Sequence, residues 1–419
     1  MFIIMLKRLN RNREYFYSFL LAISGCLLAI SMLIWPKETY TGASYGLELW
    51  ATVLVPSLLP FFIITEILLS LGIVKTLGEL LEPLMRPVFN LPGTTSFVLA
   101  VGFTSGFPIG AILTRRLCEE GLCSIHEGER LVAFTNNSSP LFILAAVGIG
   151  MFHDPTLGLV LALSHYISNL LIGIILGLSS TRTKLYNITR QNVFKNSLRV
   201  FLDEQRQRNP LGKILGDSIR TGINNITLVG GFIVFFAVLT NILSISGILN
   251  YMFGFFIFLL KIVGIDPAIN TSLSKGFWEI TLGLKDLSRL PLSFTVKAVT
   301  ASIILGWSGL SIQTQVISFL SGSGIRPRLY YSCRVLQALL AGLISLVLSL
   351  TSHLWSNLSV LPVFSSLVIS DSTVYGIKDR FFYNLSLTFH GFLLIFTVMI
   401  IISLLITQIG KIKNKPQLW

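Results

Sequence analysis

The chain reads as an all-α polytopic membrane protein made of two inverted repeats, each with a re-entrant helical hairpin and an unwound transmembrane helix. Three observations predict this. Several apolar runs are longer than about 18 residues, the length expected of a membrane-crossing helix. Other apolar runs are cut by glycines and polar residues. The same order of whole and interrupted runs occurs twice. Composition agrees: 53% of the 419 residues are hydrophobic, 12% are charged, and the mean hydropathy is +0.75. A soluble domain carries about twice that charged fraction.

The stretch that organises the chain is Thr94–Gly150. Its first apolar run is interrupted at Gly102-Phe103-Thr104-Ser105-Gly106-Phe107-Pro108-Ile109-Gly110. Each half is too short to cross a hydrocarbon layer of about 30 Å. The second run, Leu131–Phe152, is long enough but carries Asn136-Asn137-Ser138-Ser139-Pro140 near its start. An unpaired backbone group in hydrocarbon costs several kcal/mol, so broken helices persist only inside protein or beside a wet cavity. Thr94–Leu117 is therefore expected as a re-entrant helical hairpin. Leu131–Phe152 is expected as the helix beside its tip.

Taken in order, span 1 covers about Tyr15–Trp35 and ends at Pro36 and a polar loop; no cleavage site follows, so a retained span is expected. Span 2 covers Leu47–Ile73 and contains Glu66. Residues 74–92 mix charged and apolar residues at helical spacing, which predicts an amphipathic interfacial helix. After the hairpin and span 3, His153-Asp154-Pro155 makes a turn and span 4 covers Thr156–Ser179. Residues 180–221 form a basic linker, cytoplasmic by the positive-inside rule. Span 5 covers Gly222–Ile245, a short apolar helix is expected in 249–264, and 268–290 is a second broken hairpin, interrupted at Gly276, Glu279 and Gly283. Span 6 covers Phe294–Leu320, span 7 Leu329–Leu350 and span 8 Leu385–Ile409, before a lysine-rich tail. Eight crossings place both termini, the linker, Arg326 and Arg328 on the cytoplasmic side.

The division that follows is 1–46, an N-terminal span and loop; 47–179, a first repeat; 180–221, the linker; 222–350, a second repeat; and 351–419, a C-terminal span and tail. Gly102-Phe103 answers Gly276-Phe277, and Asn137-Ser138-Ser139 answers Trp307-Ser308-Gly309. The first repeat starts outside and the second inside, so one hairpin enters from each face. Paired interruptions in inverted halves point to a transporter's midplane site.

Hairpin tips place free N–H groups and a half-helix dipole at the membrane centre, where they favour anions. The candidate site residues are Thr104, Ser105, Gly106, Asn136, Asn137, Ser138, Ser139, Ser308, Gly309, Ser311 and Gln313, with Lys275 and Glu279 four apart in the second hairpin. Lys275 is placed to meet a substrate carboxylate, and Glu279 to take a proton or a cation, because charge within the membrane is costly and usually functional. The competing reading makes Ser and Asn interhelical glue and Lys275–Glu279 a self-neutralising pair. Glu66 is either a coupling carboxylate or a helix–helix contact.

The net charge of +13 lies between apolar spans, so nucleic acid is not an expected partner. The partners expected are the lipid bilayer, a small anionic solute and, as an open alternative, a second copy of the chain. The four cysteines, Cys26, Cys118, Cys123 and Cys333, are dispersed, so no metal site is expected. No phosphate-binding loop or H-E-x-x-H is present and no nucleophile–base signature is seen, so neither ATP drive nor an enzyme is expected, and no cofactor beyond a coupling ion, Na+ or H+.

These residues resemble the nucleoside-recognition Gate superfamily, and the arrangement is similar to the concentrative nucleoside transporters. Gly306-Trp307-Ser308-Gly309-Leu310-Ser311-Ile312 is similar to their unwound helix, and Gly276-Phe277-Trp278-Glu279 to their second hairpin. The first tip, Thr104-Ser105-Gly106-Phe107-Pro108, lacks their acidic motif. Chain length, Phe134–Pro140 and Trp307–Ser311 look closest to a family of sporulation integral membrane proteins. That resemblance implies a multi-pass protein of a bacterial cell membrane, specifically the outer forespore membrane, importing dipicolinate into the forespore. A nucleoside or ion transporter or channel on the same scaffold, and a non-transporting scaffold, stay open as alternatives.

Overall fold

The computed structural model describes residues 2–180, 193–207, 209–254, 267–351, 397 and 399–403. These residues are helical, with no strand among them. Among the described residues four stretches are long and apolar enough to cross a membrane: Pro155–Ser179, Leu211–Ile245, Phe294–Leu320 and Arg328–Leu350. Two bent helix pairs raise the number to six if each is one span.

The first pair is α1 (Phe2–Ile34) and α2 (Pro36–Leu49), bent by 104° at Trp35. Proline at the first helical position starts α2, since its missing N–H has no intrahelical acceptor to lose. The polar loop expected after Pro36 is thus a helix. It runs through a π-helical turn, Trp50–Leu54, into α3 (Val55–Ser70). The second pair joins α3 to α4 (Ile73–Phe89) with an 82° bend at Gly72, whose φ of 70° lies in the left-handed region. α4 is amphipathic as expected, with Val74, Leu81, Met85 and Phe89 buried.

α5 (Thr95–Ser105) and α6 (Ile109–Glu119) are the expected short helices, broken only at Gly106-Phe107-Pro108. The chain doubles back there. A Cβ on Gly102 and one on Gly110 would each meet the carbonyl oxygen of Thr135. Residues eight apart in a continuous helix would be separated by about 12 Å. α7 (Ile125–Thr135) starts inside the expected charged link, fixed by a capping box between Ser124 and Glu127. After the break at Asn136–Ser139 the chain continues as a π-helical stretch, Phe142–Met151, and then α8 (Pro155–Ser179), whose N-terminus is capped by Asp154.

α9 (Val193–Gln207) docks on the α3–α4 bend through Lys75–Glu204 at 2.7 Å and Gln205 donating to Leu71 O at 2.9 Å. α10 (Leu211–Ile245) packs on α2 and α3, where Gly42, Gly46 and Gly230 allow close approach. α11 is a single short helix, Ile248–Met252. The second hairpin is α12 (Ile269–Trp278) and α13 (Ile280–Ser288), broken at Glu279 alone. Gly276 and Gly283 were expected to interrupt it. Instead both lie within helices, and a Cβ on Gly283 would stand 2.6 Å from Gly276 N. α14 (Phe294–Trp307) and α15 (Gly309–Leu320) make the broken sixth span, and α16 (Arg328–Leu350) packs along α14 and α8. Span 8 and the tail fall outside the described residues, apart from 397 and 399–403, and so does most of the helix expected in 249–264.

Contacts sort the connections into two ends. At one end, Arg326 N donates to Glu129 Oε1 at 3.2 Å, and Arg130 and Asn90 both reach Ser180 Oγ, at 2.7 and 2.8 Å. At the other, Lys285 Nζ lies 4.9 Å from the Tyr45 ring centroid, and Met151, Phe152, Leu290 and Leu292 pack against one buried apolar cluster.

Candidate functional site

Each hairpin tip is seated on the break of the span that follows it. A Cβ on Gly106, at the first tip, would stand 3.0 Å from Ser139 N. A Cβ on Gly309, in the second break, would stand 3.2 Å from both Ile280 N and Trp278 O of the second tip. Both closures depend on glycine with positive φ, 93° at Gly106 and 70° at Gly309, a region that side chains avoid.

The first break exists because Asn136 leaves helical geometry, with ψ 99°, and Pro140 has no N–H to continue the ladder. Its side chains replace the lost bonds. Asn136 Nδ2 donates to Val132 O at 2.9 Å, while Asn136 Oδ1 accepts from Ala111 N of the hairpin at 3.0 Å. Asn137 Oδ1 accepts from Asn169 Nδ2. Ser138 N donates to His165 Nε2 at 3.2 Å, and Ser138 O accepts from Tyr166 Oη at 2.8 Å. Ser139 Oγ accepts from Phe142 N at 3.2 Å, starting the next helix. The Phe103 ring, three residues before the Gly106 turn, stacks on Tyr166 with centroids 5.5 Å apart.

The second break is shorter. Ser308, buried and at φ 70°, turns the chain. Gln313 Nε2 takes the freed Trp307 O at 2.8 Å. Trp307 holds the hairpin, its Nε1 donating to Phe277 O at 3.0 Å and its ring stacked on Phe277 at 5.2 Å. Ser311 Oγ accepts from Gln315 at 3.5 Å within α15.

The structure therefore brings the polar candidates together as two tip-and-break pairs. Most of their hydrogen bonds are internal, as the glue reading requires. Four atoms are not so used: Ser105 Oγ, Ser138 Oγ, Trp278 Nε1 and Gln313 Oε1 are buried without a partner among the described residues. A buried unpaired group costs about 1–3 kcal/mol, so their gathering at the tips and breaks is the strongest sign of a ligand. Thr104 contributes nothing, since its hydroxyl bonds back to Ala100 O at 2.9 Å.

The two candidate charges behave differently from the expectation. Lys275 does not face Glu279. Its Nζ binds Asp286 Oδ1 across the second hairpin at 2.6 Å, and Ser272 Oγ binds Asp286 Oδ2 at 2.9 Å. Glu279 instead caps α13, its Oε2 accepting from Leu282 N at 2.7 Å. Glu66 lies within electrostatic reach of Arg116 and Glu120 of the first hairpin's base, remote from the tips.

Sequence reasoning missed the strut behind the first break. Arg334 on α16 is fully buried and donates to Ala133 O, Asn136 O and Asn169 Oδ1 at 2.7, 3.1 and 3.2 Å. One turn on, Gln337 stands 3.4 Å from His165 Nδ1. A backbone N–H already donates to His165 Nε2, so the neutral ring carries its proton on Nδ1. Turning the Gln337 carboxamide oxygen to that proton also satisfies Oε1, which otherwise lacks a partner. The next residue, Ala338, lies against Gly306 at the second break. One helix thus touches both breaks. The available signal was a charge inside an apolar span and a polar face on span 4: Ser164, His165, Ser168 and Asn169.

Among the described residues no cluster of three His, Cys, Asp or Glu could hold a metal ion.

Residues 51–182, which hold the first hairpin and the first break, match the nucleoside recognition (Gate) family. The sporulation integral membrane protein YlbJ of Bacillus subtilis (strain 168) is 38% identical over 343 residues, covering 80% of this chain and 84% of that protein. An uncharacterised protein of Alkalihalophilus pseudofirmus is 27% identical over 135 residues, covering 30% of this chain and 28% of its own. No solved structure matches.

Proposed function

We propose that this chain, which belongs to the family of the sporulation integral membrane protein YlbJ, is a secondary transporter of a small organic anion and not an enzyme. It is a multi-pass membrane protein. The solute that fits the family's place in sporulation is dipicolinate, carried across the outer forespore membrane from mother cell to forespore. The observation that carries the reading is the pairing of each hairpin tip with the break of the following span, where four buried polar atoms lack partners. A scaffold gains nothing from that cost. Contacts at the two ends of the molecule support inverted halves, since the base of one hairpin lies at each end.

The test is uptake of labelled dipicolinate into vesicles containing the purified protein, with a nucleoside as competitor. Saturable dipicolinate uptake that nucleosides leave unchanged is expected. Competition by nucleosides favours the solute class of the matched Gate family. No uptake of either solute refutes the transporter reading. Ser105→Ala and Ser138→Ala sharpen the test, because each removes a hydroxyl that makes no internal bond. Both should fold normally and transport poorly. Normal transport by both would place the site elsewhere.

A further inference from the structure

We propose that Arg334 is the fixed counter-charge that draws a carboxylate of the solute to the first break. This rests on the transporter reading and names the chemical group that the site recognises.

Arg334 lies in a helix apolar and long enough to cross a membrane, and none of its side chain is exposed. Burying a charge is costly unless something neutralises it. No Asp or Glu among the described residues lies within 4.0 Å of its guanidinium, unlike Lys275, Arg86 and Arg115, which all have carboxylate partners. Its partners are two backbone carbonyls and an amide oxygen, all neutral. The two carbonyls end α7, and a helix C-terminus supplies roughly half an elementary charge. The Tyr330 ring, 5.2 Å from Cζ, adds a quadrupole and no net charge. About half a positive charge is therefore left over inside the protein.

The donors around it suit a carboxylate. A guanidinium has about five N–H groups, and three hydrogen bonds are drawn from it here. Nε is among those without a partner. Ser138 Oγ, two residues past Asn136, and Tyr330 Oη, one turn before Arg334, are also buried without a partner among the described residues. An anion would satisfy these donors and the excess charge together. A neutral solute would satisfy only the donors.

The experiment measures binding to purified full-length protein of three pyridine probes: dipicolinate, picolinate with one carboxylate fewer, and the neutral pyridine-2,6-dicarboxamide, which matches dipicolinate in shape. The wild type should bind the carboxylates at least 10-fold more tightly than the dicarboxamide. Arg334→Gln should lose that preference by 10-fold or more. Arg334→Lys, which keeps the charge, should retain most of it. Asn169→Asp leaves Arg334 in place but sets a carboxylate at the 3.2 Å contact of its Nη2, and it should remove the preference as Arg334→Gln does. This second variant decides the matter if Arg334→Gln does not fold. A wild type that prefers the dicarboxamide, or binds no carboxylate, overturns the proposal. So does an unchanged preference in Arg334→Gln or Asn169→Asp, since a purely structural Arg334 would alter unliganded stability and not the ratio. If picolinate binding depends on Arg334 while dipicolinate is not transported, the solute assignment fails and Arg334 stands. If dipicolinate is transported and the ratios do not move, Arg334 fails alone.

Discussion

Gly110→Ala should unseat the first hairpin. An ideal Cβ at Gly110 stands 2.7 Å from Thr135 O, 2.9 Å from Thr135 C and 3.1 Å from Asn136 Oδ1, where ordinary contact begins at 3.4 Å. The obstacle is backbone, so the hairpin must retreat by the difference, about 0.7 Å. The neighbouring bond from Ala111 N to Asn136 Oδ1, now 3.0 Å, is the one that such a retreat stretches out of range. Overpacking costs about 1–3 kcal/mol, and a stranded buried donor costs about 1–3 kcal/mol more. Better helix propensity returns only about 0.5–1 kcal/mol, so the clash wins by about 1–5 kcal/mol. Misplacing a binding element by less than an ångström also weakens whatever it binds. The assay is thermal unfolding of the purified protein in detergent, together with vesicle uptake. Gly231→Ala is the control, since a Cβ there meets nothing within 4 Å, and it should be neutral or slightly stabilising. If Gly110→Ala matches Gly231→Ala in both assays, the hairpin does not depend on the close approach to α7 and the reasoning fails.

Three further outcomes are expected. Cysteines placed at the exposed Leu202 and Gly322 should be labelled from one face of the membrane, and one at His153 from the other; Leu202 and Gly322 on opposite faces would end the inverted-repeat reading. Lys275→Gln and Asp286→Asn should each destabilise the second hairpin, and the double variant should be less harmed than the singles add up to, with a coupling of about 1 kcal/mol; additive unfolding free energies would show that the 2.6 Å pair contributes nothing. Ser124→Ala should cost about 1 kcal/mol by removing the capping box that starts α7, and an unchanged unfolding midpoint would refute it.

Much of the fold was legible because membranes constrain sequence strongly. Runs of apolar residues gave spans 4 to 7, and Asp154 and Pro155 marked the start of α8. What was not legible is what glycine does in context. Gly276 and Gly283 read as interruptions, yet they are helical residues that let α12 and α13 touch. Gly106 did break the chain. One composition serves both uses, and only the partner across the hairpin separates them. Pro36 misled in the opposite direction: proline after an apolar run suggested a loop, and it starts a helix bent by 104°.

The site shows the same limit more sharply, through charge. Sequence spacing put Lys275 and Glu279 on one helical face and suggested a pair. Glu279 ends that helix instead, and the lysine turns to Asp286, eleven residues on. The hairpin thereby neutralises its own lysine. Arg334 has no such residue within reach on its own helix, because α16 carries no Asp or Glu. Arg334 lies within the apolar run of span 7, six residues after Arg328. Folding carries it onto the carbonyls of a broken helix, which offer only partial charge. A helix that ran on through Asn136 would have used the Ala133 carbonyl itself, for the N–H of Asn137, and taken that acceptor from the guanidinium. The break and the arginine are therefore one construction: the end of α7 offers two carbonyls that hold Arg334, and Asn136, which supplies one of them, lies two residues before Ser138, whose hydroxyl has no partner among the described residues.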